Sequence, residues 1–331
     1  MKLRVLALIV AGTAGFWACR PGQAPMPRDT ATSSLASSAR PGVAPVPTPS
    51  GDVEFRSALD LGQTPRPGDA ELRAGREAVS AEWPASLYAT FAASGATAAC
   101  TAALIGPTVM LTAAHCIPAV GGVTFTYQGH AHAYVATCTR HPDYGGPSKD
   151  ASADFALCAF TPAFTAPPGF QYETVSTSSM SALLNQTVAL TGFGCVSSVA
   201  TSAPFDGKYR IVLSTIDESS ASDPHSRGDE FYTPKEANNL FTAADAGRVN
   251  LCSGDTGGPV YVRTSDAGDL GSRAIVGVTS RVFRDAAGTG FGSSIISATG
   301  GPVFHGWAVL WARQSGAAAC GIAGLVPNCR S

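Results

Sequence analysis

Charge is scarce in this chain. Lys and Arg number 22 and Asp and Glu 24 among 331 residues, so charged side chains make up 14% and the formal net charge is −2. A chain this poor in net positive charge lacks the electrostatic footprint of a nucleic-acid binder. Cysteines spaced Cys-x-x-Cys are absent, which removes the zinc-ribbon and thioredoxin-like readings. Long apolar runs are lacking as well. The run from Val5 to Trp17 falls short of the roughly 20 residues that a membrane-crossing helix requires. No internal repeat stands out, so nothing points to a stacked-repeat architecture.

Apolar residues are plentiful at 45%, enough for one large domain with appendages. Glycine at 36 and proline at 23 suit a loop-rich all-β chain. Nine cysteines lie at 19, 100, 116, 138, 158, 195, 252, 320 and 329. Spread in this way behind an export signal they read as disulfides, and the odd number leaves one cysteine for another fate.

The first 19 residues resemble a bacterial export signal. Lys2 and Arg4 supply the positive start, and Val5 to Trp17 the apolar run. The run ends Phe16-Trp17-Ala18-Cys19, which resembles a lipobox and implies lipidation of Cys19. Lipid on Cys19 leaves eight cysteines to pair. Cleavage after Ala14 by an ordinary signal peptidase is the alternative. Residues 20–71 are rich in Pro, Ala, Ser, Thr and Gly without apolar periodicity, and are expected to be a disordered tether, with a propeptide role open for 52–71. The domain proper is expected over 72–331.

Within that domain, 85–113 reads as strands joined by short turns. Three stretches then carry the chemistry. They are Leu111-Thr112-Ala113-Ala114-His115-Cys116, Ala153-Asp154-Phe155-Ala156-Leu157, and Cys252-Ser253-Gly254-Asp255-Thr256-Gly257-Gly258-Pro259. In this order they resemble the histidine, aspartate and nucleophile motifs of the chymotrypsin/trypsin family of serine proteases. Thr191-Gly192-Phe193-Gly194-Cys195 is similar to the strand opening that family's second barrel, and 303–313 to its C-terminal helix. One departure is central, because Thr256 stands where the family has serine.

The resemblance implies an all-β fold of two packed six-stranded antiparallel barrels followed by a C-terminal helix. It implies a catalytic set of His115, Asp154 and Thr256, with the N–H groups of Gly254 and Thr256 forming an oxyanion hole. Leu72 becomes the activated amino terminus paired with Asp255, although Glu71 replaces the basic residue usual before that cut. Asn250 takes the base of the specificity pocket, with Ser280 and Val282 on its wall. The uncharged Asn250 and bulky Val282 imply small or medium apolar substrate side chains. Cysteines are expected to pair as Cys100–Cys116, Cys138–Cys158, Cys195–Cys252 and Cys320–Cys329, with Cα separations of about 4.4–6.8 Å. No cofactor or metal is implied. His130 and His132, placed on one strand face by their spacing, read as an exposed edge with no further ligand to complete a site. The expected partners are protein or peptide substrates, a membrane through the lipid anchor alone, and no nucleic acid, with the chain acting as a monomer.

Threonine keeps the hydroxyl but adds a methyl that restricts χ1. Two functions stay open on the sequence: an endopeptidase slowed by Thr256, and an inactive relative acting as a binding or scaffold module.

Overall fold

A computed structural model describes residues 49–61, 76–93, 96–145, 151–194, 207–220, 238–242, 251, 254–262, 272–284 and 291–330. The export signal, Cys19 and the greater part of the 20–71 tether lie outside these residues. So do Glu71, Leu72, Cys195, Asn250 and Cys252. The expected pair Leu72–Asp255 and the bridge Cys195–Cys252 are therefore not described.

The first barrel is built from β1 (Val53–Ser57), β3 (Ser86–Ala93), β4 (Ala96–Gly106), β5 (Val109–Thr112), β6 (Val123–Thr126), β7 (Tyr134–Arg140) and β8 (Ala156–Thr161). They close in the order β1-β3-β4-β5-β8-β7-β6. The second barrel contains β9 (Thr187–Gly192), β10 (Arg210–Ser219), β11 (Asn239–Thr242), β12 (Pro259–Val262), β13 (Ala274–Arg284) and β14 (Phe291–Ala298). Their order is β11-β14-β13-β12-β9-β10, closed by β10 pairing back to β11. The two-residue β2 (Arg76–Glu77) attaches to the start of β10.

The expected pair of barrels is present, with two departures in the first. It has a seventh strand, β1, and β1 meets β6 in parallel while meeting β3 antiparallel. Residues 53–57, within the stretch where a propeptide role is open in the sequence, thus form a strand of the first barrel. The physical reason is visible in Val-Glu-Phe-Arg-Ser itself. Val53, Phe55 and Ser57 are buried while Glu54 and Arg56 face out and pair at 3.0 Å, the period-two pattern of a half-buried strand.

The same period sorts several strands between two cores. In β4, Cys100, Ala102 and Leu104 enter the first barrel while Ala99, Ala103 and Ile105 face the second. In β8, Ala156, Cys158 and Phe160 go inward and Leu157 outward. Both faces of these strands are dry, which is why they read as near-continuous apolar runs. The shared core joins Tyr88, Leu111 and Leu157 of one barrel to Phe193, Tyr261 and Val278 of the other.

The helix α1 (Phe304–Ser315) caps this shared core. Phe304, Ala308, Trp311 and Ala312 form its buried stripe, whereas Leu310 is exposed. Two polar contacts fix the helix: the Trp311 indole donates to Thr139 Oγ1 at 3.0 Å, and His141 Nε2 lies 3.1 Å from the Val303 carbonyl.

Three disulfides are formed among the described residues: Cys100–Cys116, Cys138–Cys158 and Cys320–Cys329. Cys138 and Cys158 sit directly opposite each other on β7 and β8 with Cα atoms 3.9 Å apart, below the expected range.

Candidate active site

The site lies where the barrels face each other. β5 delivers the chain to a single 3₁₀ turn, Ala114–Cys116, which carries His115. The Cys100–Cys116 bridge ties that turn to β4. A second 3₁₀ turn, Ala151–Ala153, precedes Asp154, and β8 follows it. Both side chains are buried.

Asp154 accepts three hydrogen bonds. The His115 backbone N–H donates to Oδ1 at 3.0 Å. His115 Nδ1 lies 2.8 Å from Oδ2, and Ser280 Oγ donates to the same oxygen at 2.6 Å. Burial pushes the Asp154 carboxyl up, but the adjacent imidazole and these donors outweigh it and hold the group below the ordinary carboxylate range. An ionised Asp154 has no proton to give, so Nδ1 of His115 must be the donor. Nε2 is the ring nitrogen left facing away from Asp154. It is buried and has no hydrogen-bond partner among the described residues.

Thr256 comes from the second barrel, on the turn before β12, and is half-buried. Its Oγ1 lies 3.7 Å from Cys100 Sγ. A disulfide sulfur carries no hydrogen, so this is a weak contact in which only threonine can donate. The hydroxyl thus contacts the disulfide and makes no hydrogen bond to Nε2. The backbone around it is clamped from both barrels. Thr101 N–H donates to Thr256 O at 2.9 Å, and Thr101 Oγ1 donates to Gly254 O at 3.0 Å while accepting from Phe193 N–H at 3.2 Å. Thr279 closes the other side, donating through Oγ1 to Asp255 O and accepting from Gly257 N–H. Gly254 has φ of 103°, a conformation that a side chain would resist.

Asp255 is fully buried and accepts a hydrogen bond from Gly194 N–H at 2.7 Å. Gly192 and Gly194 form its cradle. A Cβ on either would stand 2.4 Å from a carboxylate oxygen of Asp255.

Of the residues singled out in the sequence, His115, Asp154, Gly254, Asp255, Thr256 and Ser280 converge here. Ser280 does so through its hydrogen bond to the Asp154 carboxylate. Asn250 lies outside the described residues, as does the side chain of Val282, whose backbone pairs with Ser294. His130 is not on a strand. It precedes β7, with its ring stacked on Phe164 and Nδ1 2.5 Å from the Tyr134 hydroxyl. Among the described residues, one group has metal-ligand spacing, Cys100 with His115 and Cys116, and its two sulfurs are bonded to each other. Thr101 escaped the sequence reading. A lone threonine on a β-strand carries no signal of its own.

The Trypsin family model matches residues 72–298, more than half of the chain, and the protein belongs to that family of chymotrypsin-like serine proteases. Both β1 and α1 lie outside the matched span. No curated protein matches the chain.

Proposed function

We propose that this protein is an exported endopeptidase that hydrolyses peptide bonds with Thr256 as nucleophile. The observation that carries the reading is the state of His115. One ring nitrogen is held by an ionised, buried carboxylate, and the other is buried with no hydrogen-bond partner among the described residues. A buried polar atom without a partner is costly, and such atoms persist where chemistry uses them.

In the proposed cycle Thr256 rotates about χ1, moving Oγ1 from Cys100 to Nε2 of His115. Oγ1 attacks the scissile carbonyl as its proton passes to Nε2. The oxyanion accepts hydrogen bonds from the Gly254 and Thr256 N–H groups, and His115 then protonates the leaving amine. Water repeats the sequence to release the acyl group. Asp154 stabilises the imidazolium without taking its proton. The methyl of Thr256 must occupy one of the two remaining staggered positions, where it presses on the oxyanion hole, the imidazole or the incoming acyl group. A displacement of about 1 Å costs roughly 100-fold in rate.

Asn250 and Val282 favour small or medium apolar side chains at the cleaved bond. Cys19 carries a lipid that holds the chain at the cell envelope, and the protein acts as a monomer on protein or peptide substrates. Ammonium–carboxylate pairing between Leu72 and Asp255 completes the oxyanion loop after an activating cut.

The contact of Thr256 with Cys100 favours a second reading, an inactive binding module. Peptide turnover by the full processed chain separates the two. Thr256→Ser keeps the hydroxyl and removes the methyl, so turnover rises by about 10–1,000-fold. Thr256→Ala falls to the level that the oxyanion hole alone supports. Equal, background-level turnover by wild type, Thr256→Ser and Thr256→Ala establishes the second reading.

A further inference from the structure

We propose that the seam between β3 and β6 is a strand-binding site whose ligand is the chain's own segment 49–61, and that this segment stays docked after the chain is cut within residues 62–75. The physiological meaning rests on the activating cut proposed above. The docking rests on contacts already described by the fold.

β1 is hydrogen-bonded along both edges. Glu54 to Ser57 pair with Thr90 to Leu87 of β3, and Val53 to Arg56 pair with Val123 to Thr126 of β6. Val53 and Phe55 are fully buried in the same core as Leu87, Phe125 and Tyr134. Further along, Ala58 enters the core shared by the two barrels beside Trp83 and Tyr88. The segment before the strand is fastened too. Ser50 donates through both N–H and Oγ to Ala92 O, Val53 N–H donates to Gly122 O, and Asp52 Oδ1 accepts from Gly122 N–H at 2.7 Å. The fit is close, since a Cβ on Gly121 would lie 2.9 Å from the Gly51 carbonyl.

All of these partners lie downstream of residue 75, so none of the contacts needs the covalent link. This is the arrangement by which an extended peptide adds to a sheet, with main-chain hydrogen bonds giving affinity and alternate side chains giving selectivity. Here the strand has two edges to pair with instead of one. Removing it would expose both the β3 and β6 edges and uncover the barrel interior. The matched family span begins at residue 72, so this stave is supplied from outside it.

Hydrolysis within 62–75 adds one water and leaves a carboxylate on the upstream piece and an ammonium on the downstream piece. The new amino terminus forms, and the upstream piece remains on the first barrel. Whatever that piece carries, including a lipid on Cys19, stays with the catalytic barrels. Activation then produces a two-piece particle retained at the envelope instead of a released enzyme.

The test uses the full chain with a recognition site for a sequence-specific protease inserted within 62–75. After complete cleavage, shown on a denaturing gel, the sample is passed through native gel filtration at about 1 μM and examined by native mass spectrometry. The two pieces are expected to travel together as one species. In the same cleavable chain Phe55→Ala is expected to speed release of the upstream piece by on the order of 100-fold or more, the equivalent of emptying a buried aromatic site. Separation of the wild-type pieces under native conditions, whether the remainder stays folded or precipitates, would overturn the proposal. Neither readout depends on peptidase activity, so an inactive Thr256 leaves this test intact.

Discussion

Asp154 holds a charge at a fully buried position only because three groups donate to it. Ser280 is the one donor that comes from the other barrel. Its loss should be legible in acid. The folded-state pKa of Asp154 is depressed, so its contribution to stability is fully present above the unfolded value near 3.9 and is lost as pH falls through the folded value. Ser280→Ala moves the folded value upward, so the acid-unfolding midpoint rises and stability at neutral pH falls by about 1–3 kcal/mol. An unchanged acid midpoint would show that the 2.6 Å bond contributes nothing. The Ser280–Asp154 bond was not legible in the sequence because the strand was readable and the rotamer was not. The partner of a hydroxyl is set by what the fold brings near, so Ser280 and Thr101 look like any other strand residues. His115, Asp154 and Thr256 were legible because tight turns and close approaches constrain their neighbours as well.

At the scale of elements, the loop before β12 is held more by what surrounds it than by its own residues. Gly192 and Gly194, at the end of β9, hold the Asp255 carboxylate in a space that no side chain can share. Gly194→Ala should displace Asp255 and, through it, the Gly254 and Thr256 N–H groups. In a Thr256→Ser background turnover should fall by about 100-fold or more while the circular dichroism of the barrels is retained. Retained turnover in Gly194→Ala would mean that the loop does not depend on this cradle. The Gly-x-Gly pattern was visible beforehand, and its role as a cradle was not. The strand β1 shows the opposite limit. Its alternation is present, but it spans five residues directly after a proline-rich run, and its partner β6 lies far along the chain. Short strands with remote partners give a local reading little to hold.

For the whole molecule, a buried charge cluster binds the segment joining the barrels to both the second barrel and the C-terminal tail. Glu173 on that segment pairs with Arg273 at 2.6 Å and with Arg330 at 3.4 Å, and the Arg273 guanidinium stacks 3.7 Å from the Trp83 ring centroid. No motif announces three charges this far apart in sequence. Glu173→Gln removes the anion that holds the buried Arg273 and should cost about 3–5 kcal/mol, read as a lowered denaturant midpoint. A loss below about 1 kcal/mol would show that water or nearby carbonyls compensate the arginines. The barrels held together in this way bring His115 and Asp154 of one to Thr256 of the other, and the central claim is that this meeting makes Thr256 a nucleophile. Covalent labelling of the processed full chain by a fluorophosphonate, with the adduct mapped by mass spectrometry, tests it most directly. The account predicts an adduct on Thr256, formed more slowly than on the Thr256→Ser variant and abolished by His115→Ala. A Thr256 that stays unmodified while Thr256→Ser is labelled under the same conditions would contradict it.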